Sequence, residues 1–438
     1  MLRTTVSRSA PRRVFVLGGY ITPFIGKGNP NFVDKHHVDF GKKKNATLEE
    51  VIAATVRGTL AETKFTGKES LIDTICIGNY AGELYNQQAH LGAAVVGSLV
   101  GADPDKQNPF LFKPAHRAEA ACASGGVAVQ SVVQAIRAGD AEIGLAIGAE
   151  VQTTVKARQG ADYLARAAHY ATQRSLDDFM FPCLFARRME ACVRSGKFTL
   201  KDTAAVAAKA YHNANRNPLA HMHAVKVSLE DASSEEKLFL ANPTYKPYLR
   251  LTDCSQVSDG GAGLILASEE GLRRHGLSPS DPSLLEVLAV RLATGNLYDD
   301  NRTTLTRMPT SHAAAQQALT AAGVTAAQIE VAEVHDCFTP AELLMYEALG
   351  LCQEGEGAAY FHSGATTLDG KVPVNTGGGL VAFGHPVGAT GIKQVMEVYR
   401  QMKGKCGEYQ MKHTPAIGVT LNMGGDDKTA ISTVLKNI

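Results

Sequence analysis

The sequence predicts an α/β protein made of two similar halves with a helical insertion between them. Three observations carry this. Helical and strand patterns alternate along most of the chain, which argues for sheets layered with helices. The same helix–loop–strand units recur in the same order early and late in the chain, the mark of an internal repeat. From residue 152 to 258, in stretches such as "QGADYLARAAHYATQRSLDDFMFPCLFARRMEACVRSGKF", helical spacing persists and strand alternation is missing. The 438 residues suffice for two or three domains.

In chain order, "VFVLGG" reads as the first strand, and "TLEEVIAATVRGTLAE" as a helix leading to the strand "IDTICIG", Ile72 to Gly78. In "CASGGVAVQSVVQAIRAGD", Val129, Val132, Val133 and Ile136 fall at i, i+3, i+4 and i+7, one face of a helix that Gly139 closes. The strand "EIGLAIGAE" follows, and after the insertion "VSDGGAGLILAS" returns a strand to this half. The second half repeats the plan. "SHAAAQQALTAAG" leads to the strand "IEVAEVH", and Ile392, Val395, Met396 and Tyr399 repeat the helical spacing before the strand "AIGVTLNMGG". The expected division is a targeting leader at 1–13, a first half at 14–151 and 259–275, a loop domain at 152–258 and a second half at 276–438.

Lysine plus arginine number 44 against 43 acidic residues, a balance that gives no support for nucleic-acid or membrane-surface binding. No apolar run reaches the length of a membrane span. The eight cysteines form no C-x-x-C pair, which argues against a zinc ribbon or a thioredoxin motif, and a core this large needs no disulfides. The first 20 residues hold four arginines and no acid, a composition that reads as a mitochondrial targeting segment. The closing "LKNI" is not a peroxisomal S-K-L address; peroxisome or glycosome is the alternative location.

The chemistry concentrates in four places. Cys122, in "EAACASGGVAVQ", stands where a helix should begin, so the helix dipole is expected to lower its thiol pKa. It lies seven residues before Val129, as His385 lies seven before Ile392. If the halves pack about a pseudo-twofold axis, the starts of their equivalent helices meet and bring Cys122 to His385. In "NTGGGLVAFGHPVGATG", Pro386 suits the first helical position, which would place His385 at a helix start. His335 and Cys337, in "EVHDCFTP", follow a strand, where α/β sites cluster; Thr339 is the expected cap of the next helix, with Glu342 reaching back to it. The turn "LNMGGDD" ends the last glycine-rich strand, and its N–H groups can stabilise an oxyanion. A metal held by Cys122, His335, Cys337 and His385 is disfavoured, since structural zinc sites carry a tight cysteine pair.

The motifs "ACASGG", "HNANRNP", "SDGGAGLILAS", "HDCF", "NTGGGLVAFGHPVGATG" and "NMGG" occur in the order in which thiolases carry them, across almost the whole chain. The sequence resembles the thiolase family, closest to the sterol-carrier-protein-2 type, with no sterol-carrier domain following. That resemblance implies a five-layer αβαβα fold, a homodimer, coenzyme A as substrate and product, and no permanently bound cofactor or metal. It implies Cys122 as acylated nucleophile, His385 as its base, and His335 in an oxyanion hole. Gly424 would complete a second hole and Ser255 would contact pantetheine. Many thiolases carry a second cysteine where this chain has Asn422, so Cys337 is the expected replacement base. The expected activity is thiolytic cleavage of 3-ketoacyl-CoA, as in fatty acid β-oxidation, or the reverse Claisen condensation of acetyl-CoA. A decarboxylating ketoacyl synthase using Cys122, His335 and His385, and a non-catalytic acyl-CoA or lipid-binding protein, are the alternatives.

Overall fold

The computed structural model describes residues 11–438 except 104. The elements that frame the site are β1 (Phe15–Ile21), α1 (Leu48–Glu62), β2 (Thr74–Gly78), β3 (Ala115–Ala118), α2 (Ser124–Ala138), β4 (Ile143–Glu150), α3 (Met180–Arg194), α4 (Leu200–Ala214), β5 (Gly260–Ala267), β6 (Leu285–Thr294), α5 (Pro309–Ala322), β7 (Val331–Val334), α6 (Thr339–Leu349), α7 (Thr390–Met402), β8 (Ile417–Gly424) and β9 (Thr429–Asn437). Local chemistry sets their limits. Thr47 caps α1 in a reciprocal box with Glu50, an arrangement that stabilises a helix start by about 1 kcal/mol. Gly139, at φ +88°, ends α2 in the left-handed conformation that glycine adopts without strain.

The strands run in the order β3-β2-β4-β5-β1-β6-β9-β8-β7. The seam between β1 and β6 is narrow: only Phe15 with Glu286 and Val16 with Leu285 are paired across it. Outward from that seam the two sides match. β1–β5 and β5–β4 are antiparallel and β4–β2 is parallel. β6–β9 and β9–β8 are antiparallel and β8–β7 is parallel. Beyond β2 lies β3; beyond β7 only a single bridge, Ala332 to Val374, holds the corresponding place.

α1 covers one sheet from outside and α5 the other, while α2 and α7 lie between and touch strands of both. That stacking is the five-layer αβαβα arrangement. The central helices approach closely through glycine. A Cβ on Gly125 would come within 2.7 Å of the Gly388 carbonyl, and one on Gly391 within 2.2 Å of the Gly126 nitrogen.

Residues 152–258 hold α3, α4 and shorter helices, with no strand. The insertion is tied to the C-terminal half by Arg188 of α3. Its fully buried guanidinium pairs with Asp426 and donates to the carbonyls of Thr304, Leu305 and Arg307. Residues 1–10 of the expected leader lie outside the described residues. The last two residues of its 1–13 range belong to the folded body: Arg12 pairs with Glu142, and Arg13 with Glu269 and Glu286.

Candidate active site

Cys122 sits in a tight reversal between β3 and α2. Ala121 holds a left-handed φ of +51°, unusual for a residue with a Cβ and costly by about 1–3 kcal/mol. Ser124 stitches the reversal, its hydroxyl accepting from the Ala120 N–H and donating to the Ala121 carbonyl. α2 starts at Ser124, two residues beyond Cys122, so the expected benefit of the helix dipole is overridden. Burial pushes the Cys122 thiol up to about 12, so it rests protonated and needs a base to become a nucleophile.

His385 is the base expected from the sequence. The expectation that it opens a helix is corrected: α7 begins at Thr390, and Pro386 begins a turn that donates back from Ala389 and Thr390. The loop between Cys254 and Ser258 holds the His385 backbone, the histidine N–H donating to the Gln256 carbonyl at 3.1 Å. The Thr390 hydroxyl donates to the Pro386 carbonyl and must therefore accept from His385 Nδ1–H, 2.6 Å away. That leaves Nε2 with a lone pair, and this buried nitrogen has no hydrogen-bond partner. Burial, aided by the charge of Lys393, lowers the His385 pKa to about 3, so the ring is neutral.

His335 follows β7 and is only 1% exposed. Its ring stands edge-on to that of His385, centroids 5.2 Å apart. Asn422 Nδ2 donates to the Cys122 carbonyl at 3.0 Å and lies 3.0 Å from His335 Nδ1. His335 Nδ1 accepts, so the proton is on Nε2. Burial and the neighbouring His385 push its pKa well below the usual value. The ligand atoms of Cys122, His335 and His385 all lie within 4.8 Å of one another. The site thus presents, around one thiol, a histidine lone pair and a histidine N–H.

Cys337 is outside that cluster. It is 6% exposed and packs with the C-terminal core beside Phe338. Burial raises its thiol pKa far above the ordinary value, and the Cys122 sulfur raises it further, so the two thiols are near neighbours. Ser255 is half-buried and donates its N–H to the Cys337 carbonyl at 2.9 Å. The backbone N–H groups of Gly425 and of Cys122 itself both favour the thiolate form of Cys122, against the larger effect of burial. Gly424 ends β8 against Ala120, where a Cβ would come within 2.2 Å of the Ala120 carbonyl. The helix after Cys337 also differs from expectation. Phe338 is the cap of α6, Thr339 bonds Asp253, and buried Glu342 pairs with Lys209 instead of closing a capping box.

Three supporting residues were not singled out among the candidate site residues, though Ser258 opens the "SDGG" motif and Thr390 stands in "GHPVGATG". Ser258 accepts from the His385 N–H and donates to the Gln256 carbonyl, Thr390 orients the His385 ring, and Glu150 joins the halves. The Glu150 carboxylate accepts from Tyr80 and Ala81 N–H on one side and Gly388 N–H on the other, and burial raises its pKa to about 7. The position of Thr390, five residues after His385 on a helical turn, was a further clue.

Residues 33–270 match the family model of the thiolase N-terminal domain, and residues 293–437 that of the thiolase C-terminal domain-like region. The chain belongs to the thiolase family. It is 33% identical over 391 residues to acetyl-CoA acetyltransferase of Methanothermobacter thermautotrophicus, an alignment covering 89% of this chain and 95% of that one. It is 29% identical over 422 residues to sterol carrier protein 2 of Homo sapiens, covering 94% of this chain and 70% of the relative. The crystal structure of human mitochondrial 3-ketoacyl-CoA thiolase in complex with CoA has a TM-score of 0.68 at 17% identity, covering 98% of each chain.

Proposed function

We propose that the chain is an acyl-CoA C-acyltransferase acting through acyl-Cys122, with 3-ketoacyl-CoA cleavage by CoA and acetyl-CoA condensation as its two directions. The observation that carries this is the opposite polarity of the two histidines at Cys122. In cleavage, His385 Nε2 takes the Cys122 proton and the sulfur attacks the keto carbon. The resulting oxyanion is held by backbone N–H groups, those of Cys122 and Gly424. The bond between the α-carbon and the keto carbon then breaks. The enolate oxygen that departs is met by His335 Nε2–H, and the Cys337 thiol protonates the α-carbon. Its high pKa keeps it protonated at rest, the form this direction requires. Coenzyme A then gives its thiol proton to the Cys337 thiolate and attacks acyl-Cys122; the acyl–Cys122 bond breaks, the Cys122 sulfur recovers its proton from His385, and the shortened acyl-CoA leaves. No permanently bound cofactor enters these steps.

A homodimer suits β3, which edges the sheet with His116 exposed and, just before it, Leu111 and Phe112, the latter 94% exposed. An unpaired edge beside apolar side chains favours pairing with a second copy. Mitochondrial import remains our reading of the arginine-rich leader; the pairing of Arg12 and Arg13 with the body argues for processing before them.

The compact Cys122–His335–His385 cluster without Cys337 favours one second reading, a decarboxylating synthase that needs no α-proton base. One set of measurements separates the two. Intact mass after acetyl-CoA treatment should show an acetyl adduct that Cys122→Ala loses. Cys337→Ala should keep the adduct but exchange solvent deuterium into the acetyl methyl group about 10² to 10⁴ slower. Absence of exchange in both wild type and Cys337→Ala, with turnover of malonyl-CoA, would establish the second reading; an adduct persisting in Cys122→Ala would end both.

A further inference from the structure

Asn422 occupies the place where the family resemblance expects a cysteine base, and its amide cannot serve as one. Its surroundings give it another task. Nδ2 faces the Cys122 carbonyl, which can only accept, so the amide must present its NH₂ there. The same NH₂ faces His335 Nδ1. The amide oxygen points the other way and has no hydrogen-bond partner. It lies where a Cβ on Gly391 would come within 2.4 Å and one on Gly126 within 3.0 Å. These glycines are in the first turns of α7 and α2, so the oxygen faces the positive ends of both central helices. Every contact fixes the amide in one orientation.

We propose that Asn422 is a positioning residue that sets the tautomer of His335, and that it thereby keeps a Cys–His–His cluster from becoming a metal site. This deepens the acyl-transfer reading above and rests on it for the role of His335. With Nδ1 accepting from Asn422, His335 must carry its proton on Nε2, which becomes a donor. A protonated ring nitrogen cannot ligate a metal. Cys122 Sγ and His385 Nε2 then remain as two ligands without a third. The three groups, within 4.8 Å, are otherwise a small movement away from the roughly 2.0–2.3 Å bonds of zinc to imidazole and thiolate. One amide thus separates an oxyanion donor from a ligand.

Asn422→Asp reverses the clamp. A carboxylate at this position accepts from His335 Nδ1–H, is favoured by the two helix starts, and frees Nε2 as a lone pair. In ¹⁵N-histidine NMR of the resting protein, His335 should be protonated at Nε2 in the wild type and at Nδ1 in Asn422→Asp. Titration with Co²⁺ should give a sulfur-to-metal charge-transfer band in the variant, with affinity at least about tenfold above wild type. Metal-free turnover should fall about 10² to 10³, the scale of losing one oxyanion donor. Asn422→Ala is the second variant: it should lose the hydrogen-bonded Nδ1 signal, populate both His335 tautomers, and gain Co²⁺ affinity by less than Asn422→Asp does. A wild-type proton on Nδ1, or equal Co²⁺ affinity in wild type and Asn422→Asp, overturns the proposal. A flipped tautomer with unchanged turnover would uphold the clamp and refute instead the oxyanion role of His335.

Discussion

α2 and α7 are equivalent helices in the two halves, and they meet the sheets with the same apolar spacing. α2 buries Val129, Val132, Val133 and Ile136 along one stripe and leaves Gln134 exposed. α7 is buried around almost its whole circumference, Lys393, Gln394, Glu397 and Gln401 included. Lys393 Nζ donates to Glu333 on β7 at 2.8 Å and to the Gly379 carbonyl at 3.3 Å, and sits 4.4 Å from the Phe383 ring centre. One lysine therefore ties the segment leading to His335 to the loop leading to His385. The contrast follows from what each helix must hold. Cys122, just before α2, is fixed by a backbone turn, which needs only small residues and one serine. The histidines before α7 come from two separate segments and require side-chain bridges to hold them in register.

The comparison predicts its largest effect at the base itself. His385→Ala removes the lone pair that a thiol of pKa about 12 depends on, so single-turnover acylation by acetyl-CoA should slow about 10² to 10⁴. The variant also loses the Nδ1 bond to Thr390, so its melting is measured beside the wild type's. Acylation at the wild-type rate would mean that Cys122 ionises unaided, and that the two halves are not divided into nucleophile and base.

A middle-sized effect separates the helices directly. Lys393→Met leaves Glu333 buried without its partner, and breaking such a pair costs about 3–5 kcal/mol. Ile136→Val, in the stripe of α2, should cost only about 0.5–1.5 kcal/mol. Denaturant melts of both variants measure the ratio. Equal costs would show that the polar belt around α7 is dispensable packing and not a brace.

The apolar stripes, the glycine stops and the strand-ending His335 were legible in the sequence because periodicity and turn chemistry are local. The meeting of Cys122 with His385 was legible through the repeat, which turns distant positions into equivalent ones. Three things were not. The level of the Cys122 pKa depends on burial by elements distant in the chain, and a helix-start argument cannot weigh that against the dipole. The start of α7 moved from Pro386 to Thr390 because His385 is held by a loop from the insertion, a tertiary contact. Asn422 was read for the base it lacks; the hydrogen bonds it makes depend on a carbonyl and a ring brought to it by two other segments.

The smallest expected effect is a shift in pH dependence, and its sign follows from the same lysine. Burial is the main cause that depresses His385 to about 3, and the positive charge of Lys393 adds to it. A base with a depressed pKa stays neutral and competent at every pH above it. Acylation by acetyl-CoA should therefore show no acid limb in wild type across about pH 5 to 8, well above that point. Removing the lysine charge in Lys393→Met removes one of the two causes and favours the imidazolium, so the His385 pKa rises. Burial remains, so it should stop short of the ordinary histidine value of about 6.5. The variant should then lose acylation rate towards the acid end of that range while keeping it at the neutral end. Rapid-quench acylation followed by intact mass, on folded protein at each pH, reads the limb directly. A wild-type limb centred near neutrality would show that the ring is neither dry nor influenced by Lys393, and the brace on the second half would then be mechanical only.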